Sequence, residues 1–115
     1  MQTTILDTKA MDWRNFVDAP GVHYKVLRHH EHRAGITLLL QFEPGASYQA
    51  HRHPLGEEYY VLEGSLEEAG VTYGAGTFVY HPAGSAHRPR SAHGCVLLIT
   101  LPAHIEPLRE SSPPE

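Results

Sequence analysis

Four side chains in this sequence have the types and the spacing to close around a single metal ion. His51 and His53 stand two residues apart, shortly after the Pro44-Gly45 turn. On an extended strand that separation places both on one face, roughly 7 Å apart along the backbone, so both imidazoles can converge on one ion. Glu57 follows after Pro54-Leu55-Gly56, a break that lets the chain turn back and bring a carboxylate oxygen to the same place from the start of the next strand. A hairpin alone does not surround an ion. His87 lies thirty-four residues beyond His53 and again follows a turn, Pro82-Ala83-Gly84, so closure of a barrel would bring it inward as a fourth donor. Three neutral imidazoles and one carboxylate suit one divalent transition metal, with iron, manganese or zinc the leading choices and nickel or copper also compatible.

The elements that must position these donors read as strands. Short β-type runs separated by Gly and Pro recur at Tyr24 to Leu27, Ile36 to Phe42, Glu58 to Glu63, Thr77 to His81 and Cys95 to Leu101. Glu43-Pro44-Gly45-Ala46 has Pro where φ is near −65° and Gly where a type II turn needs positive φ. Between residues 20 and 101 no segment keeps helical apolar spacing for more than about two turns. Only Asp12 to Val17 reads as a short helix. Several runs are apolar on both faces, among them Tyr59 to Leu62 and Val96 to Ile99, which predicts a closed interior on one side and a second sheet or second chain on the other. The expected organisation is an N-terminal extension over 1–20, a β-barrel over 21–101 and a flexible Pro-rich tail over 102–115. A homodimer is also expected.

With those residues in hand, the sequence resembles the cupin superfamily. Gly45, His51, His53, Glu57 and Gly64 fit its first motif, and Gly76, Pro82, Gly84 and His87 fit its second. Ser91 stands where the second motif ends in Asn, a position that is not a ligand in the family. The wider text, His-Pro-Leu-Gly-Glu-Glu-Tyr-Tyr-Val-Leu-Glu-Gly and His-Pro-Ala-Gly-Ser-Ala-His, is most similar to the cupin domain of ChrR-type anti-sigma factors, over about residues 30 to 101. The resemblance implies an all-β, cupin-type double-stranded β-helix, or jelly-roll barrel, with a metal on His51, His53, Glu57 and His87. The motif tolerates Glu58 in place of Glu57, but the six-residue spacing to Gly64 favours Glu57. The anti-sigma module of those proteins is a separate cysteine-containing helical domain, which nothing before residue 30 supplies. Three activities are compatible with the family: a metal-dependent dioxygenase of a small carbonyl compound, a zinc-binding ligand or stress sensor, and a manganese isomerase or lyase.

The resemblance implies a small-molecule ligand or substrate, and composition argues against other partners. The chain has 115 residues, 41% hydrophobic, and a formal charge of −4 with no basic block, which argues against nucleic acid. Its longest apolar stretches are too short to span a bilayer, and its polar start lacks a secretory pattern, so a cytoplasmic location is expected. Cys95, the only cysteine, sits among aliphatic residues as a small buried hydrophobe rather than a nucleophile. His29, His30 and His32 read as a solvated hairpin turn, His81 as a satisfied structural histidine, and His23, His93 and His104 carry no constellation. Tyr59 shares strand parity with Glu57 and is expected to face the interior, where its hydroxyl could orient a ligand. Trp13 and Phe16 are expected to cover one end of the barrel or a partner chain.

Overall fold

The computed structural model describes residues 2–31 and 35–102, together with the backbone of residues 106–107. Ten strands follow in order: β1 (Arg14–Asn15), β2 (Val22–His29), β3 (Ile36–Phe42), β4 (His51–Arg52), β5 (Glu57–Glu68), β6 (Val71–Gly74), β7 (Phe78–His81), β8 (Ala86–His87), β9 (Cys95–Leu101) and β10 (Glu106–Pro107). One 3-10 turn, Thr8–Ala10, is the only helical element among the described residues, and no helix there is long and apolar enough to cross a membrane.

A seven-stranded antiparallel sheet runs in the order β1-β2-β3-β9-β5-β6, with β7 also paired to β5, and a three-stranded sheet runs β10-β4-β8. The centre of the large sheet is where the sequence is most apolar. Leu38 pairs with Ile99, Leu40 with Leu97 and Phe42 with Cys95, while Tyr59 and Val61 of β5 flank β9 from its other side opposite Ile99 and Leu97. All of these residues are buried. Each large side chain removed from water contributes about 1.5–3 kcal/mol, so these rungs are the main source of stability in the sheet. β3 and β9 occupy the ranges expected from sequence, and buried and part-buried residues alternate from Thr37 to Phe42 and from Cys95 to Thr100.

β5 is longer than expected. A bulge between Val61 and Glu63 shifts its register against β9 and reverses which side chains point inward. Glu57, Tyr59 and Val61 are buried before it, and Leu66 and Glu68 after it. The strand then turns through Ala69 and Gly70, both at positive φ, into β6, which no apolar pattern announced.

Asp12 to Val17 is not helical. Arg14 and Asn15 pair with Tyr24 and His23 of β2, and Phe16 N–H donates to Val22 O at 3.2 Å. Six residues cannot recover the cost of helix nucleation, whereas the open edge of β2 supplies ready partners. Phe16 does cover the barrel, packing on Tyr24 at 4.6 Å and Tyr48 at 5.3 Å between ring centroids. Trp13 instead stacks under Lys25, whose ammonium lies 4.5 Å from the ring and donates to Thr8 O at 2.7 Å. Of the segment 102–115, Glu106 and Pro107 pair with Arg52 and His51 of β4; apart from Pro102, the rest lies outside the described residues, as do His32 and His104.

Candidate metal centre

His51 and His87 face each other as paired residues of β4 and β8 in the small sheet. His53 follows β4 in a turn held by three backbone bonds: its N–H donates to Ser85 O at 2.8 Å, and its carbonyl accepts from Gly56 at 3.1 Å and Gly84 at 2.9 Å. The two Pro-containing turns that bracket the donors in sequence are therefore bonded to each other across His53. Glu57 opens β5 on the large sheet, so the site bridges both layers. Gly56 makes the sharp entry to Glu57 with φ +86°, and a Cβ there would lie 2.7 Å from His81 O, so only glycine fits. Pro44-Gly45 forms the expected type II turn, with Gly45 at φ +86° and Ala46 N–H donating to Glu43 O at 2.9 Å.

The three histidine Nε2 atoms form a tight triangle. His51 to His53 is 2.9 Å, His53 to His87 is 2.8 Å and His87 to His51 is 2.9 Å. Glu57 Oε1 lies 3.0 Å from His53 Nε2, and Glu57 Oε2 lies 3.3 Å from His87 Nε2. His51, His53 and Glu57 are almost wholly buried. Glu58, the alternative carboxylate, is exposed on the opposite face of β5.

Proton positions explain why this arrangement suits a cation. His51 Nδ1 lies 2.8 Å from Gln49 O, and because a carbonyl only accepts, Nδ1 holds the proton and Nε2 presents a lone pair. His87 Nδ1 lies 2.9 Å from Glu68 Oε1, off the line of an ideal hydrogen bond, and a nitrogen that close to a carboxylate oxygen carries the proton. Its Nε2 therefore also presents a lone pair. Lone pairs meeting at 2.9 Å repel unless something positive lies between them. Buried Glu57 Oε2 has no hydrogen-bond partner either. Two overlapping groups could hold a metal ion: His51, His53 and His87, and Glu57, Glu68, His81 and His87; the first together with Glu57 is the set expected from sequence, and its donors fit one.

Burial lowers the His51 imidazole from 6.5 to about 4, against opposing pulls from Gln49 O and Glu57. Burial pulls His87 the same way, but contact with Glu68 and the charges of Glu57 and Glu68 outweigh it and leave His87 above its ordinary value.

Glu68 is the functional residue that sequence reasoning missed. It is 5% exposed and accepts from Tyr59 OH at 2.6 Å and His81 Nε2 at 2.9 Å, besides its contact with His87. Burial raises its carboxyl, but the His87 and Tyr59 contacts prevail and hold it below the usual value. Its position eleven residues beyond Glu57 offered no signal, because simple strand alternation extended past Val61 puts Glu68 on the outer face; the bulge puts it inside. His81 is satisfied, as expected, yet its partner joins it to the site. Tyr59 does face the interior, with its hydroxyl committed to Glu68.

Ser91 fills its motif position as a fully buried residue whose Oγ donates to Ser65 O at 2.5 Å, a tie to the backbone of β5. His29 and His30 are more than a solvated turn, since both line the rim of the interior cavity, and His30 Nε2 lies 2.9 Å from Thr37 Oγ1. That cavity measures about 580 Å³ and reaches His51, His53, Glu57 and His87 at one side, with Leu38, Leu40, Leu97 and Ile99 among its walls.

Solved structures share the fold. The chain superposes on a protein from Methylibium petroleiphilum PM1, described as a candidate acetylacetone dioxygenase, with a TM-score of 0.90 at 18% identity, over 100% of this chain and 87% of that one. An acetylacetone dioxygenase from Acinetobacter johnsonii matches with a TM-score of 0.81 at 16% identity, over 97% and 80% of the two chains. The Rhodobacter sphaeroides complex of SigE with the anti-sigma factor ChrR matches with a TM-score of 0.70 at 23% identity, over 83% of this chain and 50% of that one. No curated protein sequence gives a significant match. The profile of the ChrR cupin-like domain family matches residues 1–104, and the chain belongs to that family.

Proposed function

We propose that this cupin binds one divalent transition metal through His51, His53, Glu57 and His87, and that with Fe(II) it is a dioxygenase cleaving a small carbonyl compound. The supporting observation is the Nε2 triangle, with sides of 2.8–2.9 Å. Two nitrogens about 2.0–2.1 Å from one ion lie about 2.9 Å apart when they subtend a right angle, against about 3.3 Å for tetrahedral ligands. The triangle therefore brings three imidazoles close enough to hold one ion with Glu57 as a fourth donor, and an ion that takes six ligands would have room left for an oxygen-donor substrate and dioxygen.

A bound Fe(II) supplies the redox chemistry that activates dioxygen. The chain's own residues do the rest. Glu68 holds His87 in the tautomer that presents Nε2, the Leu and Ile walls exclude bulk water, and Tyr59 is kept from the reacting region by its bond to Glu68. In the proposed reaction both oxygen atoms enter the products as one carbon–carbon bond of a diketone breaks, so no external reductant is needed.

The test is elemental analysis of protein purified without added metal, followed by oxygen-electrode assays of the Fe(II)-loaded protein with 1,3-diketones. One metal per chain and diketone-dependent oxygen uptake, both abolished in His51→Ala, are expected. A zinc-only protein inert to a broad carbonyl panel would refute catalysis and leave the second reading, a non-catalytic ligand or stress sensor, which membership of the ChrR cupin-like family supports.

A further inference from the structure

The interior cavity is far larger than the smallest diketones need. Its volume of about 580 Å³ equals about 19 water volumes at roughly 30 Å³ each, whereas pentane-2,4-dione has seven non-hydrogen atoms. Its polar groups are not spread evenly. Among the described lining residues there is no Lys or Arg, and Glu57 is the sole acid. Along the pairing of β3 with β9 the walls are successive apolar rungs: Ile36 with Leu101, Leu38 with Ile99, Leu40 with Leu97. Polar side chains gather at the metal centre and at the rim, where His30 is already bonded to Thr37.

We infer that the ligand of this site is a neutral molecule with two parts: an oxygen-donor head of diketone or hydroxyketone type at the His51–His53–His87–Glu57 cluster, and an alkyl or aryl tail lying along the Leu38–Ile99 and Leu40–Leu97 rungs. A carboxylate or phosphate at the tail end would lose its hydration with no Lys or Arg among the described lining residues to receive it. A sugar would leave hydroxyls against aliphatic walls with no partners. An apolar tail instead gains about fourfold in affinity per buried methylene.

This inference rests on the metal-binding reading for its head group and on the cavity alone for its tail, so the experiment separates the two. Zn(II)-loaded protein, which does not turn over, is titrated calorimetrically with 1,3-diketones carrying a methyl, butyl, hexyl or phenyl end, and with an analogue ending in a carboxylate. The same series of simple 2-alkanones is titrated into metal-free protein. The expected result is a rise of about fourfold per methylene up to the cavity's length, with the carboxylate analogue at least tenfold weaker than its neutral counterpart. Leu40→Phe, checked for retained metal uptake to confirm folding, is expected to lower affinity for the hexyl and phenyl members while sparing the methyl one. A flat series on metal-loaded protein overturns the tail assignment and leaves metal binding intact. A rising alkanone series on protein that takes up no metal keeps the tail pocket and overturns the head-group assignment. Tightest binding by the carboxylate analogue overturns the inference outright.

Discussion

Replacing Glu68 by Gln tests whether the proposed metal centre depends on a residue outside the four proposed donors. The carboxylate serves Tyr59 OH at 2.6 Å, His81 Nε2 at 2.9 Å and His87 Nδ1 at 2.9 Å. Glutamine keeps one acceptor oxygen and turns an NH2 group toward the others. At least one donor then loses its partner, and the remaining contacts become neutral. Hydrogen bonds to charged groups are worth about 1.5–3 kcal/mol and neutral ones about 0.5–1.5, so each conversion forfeits about 1 kcal/mol. His81 is 21% exposed and can turn to water, and Tyr59 touches the other carboxylate oxygen, which leaves the His87 contact as the one the metal feels. Losing that contact to a charged group outright costs about 2 kcal/mol, or roughly thirtyfold in a binding constant. That lies inside the ten- to hundredfold range typical of partners to metal-ligating histidines. Titration with Zn(II) against a chromophoric chelator gives the dissociation constant, with His51→Ala as the reference for a destroyed site. Tyr59→Phe is the control: its hydroxyl touches the other carboxylate oxygen, and its removal is expected to change metal affinity by less than about threefold. Glu68→Gln within twofold of wild type would refute the reasoning, as would a loss in Tyr59→Phe equal to that in Glu68→Gln.

Acid should release the metal, with His87 the first ligand lost. Contact with Glu68 and the charges of Glu57 and Glu68 outweigh burial and raise His87 above its ordinary value, while burial lowers His51 to about 4, so protons compete with the metal at His87 at a higher pH than at His51. Occupancy measured after desalting should fall between pH 7 and pH 5; full retention at pH 5 would contradict this. Cys95 should resist alkylation, because burial raises its thiol from 9.0 to about 11 against a weaker opposing contact with Ser91. At pH 8 the native protein should react with iodoacetamide about a hundredfold more slowly than the unfolded chain. The sign for stability follows: the folded value lies above the unfolded one, so this contribution is complete below about pH 9 and lost as pH rises toward 11. Gly56→Ala should cost about 1–3 kcal/mol of stability, because alanine disfavours φ +86° and its Cβ would meet His81 O at 2.7 Å. It should also weaken metal uptake by displacing Glu57, and calorimetric melting with unchanged midpoint would count against the turn assignment.

Local spacing carried much of this protein. Ile36–Phe42 and Cys95–Leu101 were legible as strands because they pair over their full length and bury every second residue. The candidate donors stood out because they lie near Pro or Gly turns that leave few conformations to weigh. The N-terminal segment was misread for want of a partner: nothing in Asp12 to Val17 tells that β2 has an open edge. Glu68 was invisible for a similar reason. A strand's alternation is a local rule, whereas the bulge at Val61–Glu63 is set by the match between β5 and β9, and one extra residue exchanges the faces of all that follows. The sequence by itself determined the fold class and singled out the four candidate donors, since both depend on residue type and on neighbours within a turn or two. Tertiary structure decided the cross-strand pairing of His51 with His87, the carboxylate beside His87, and the size of the cavity and the lack of Lys and Arg among its described lining residues. Each of these depends on how distant strands register, and no short window of sequence contains that.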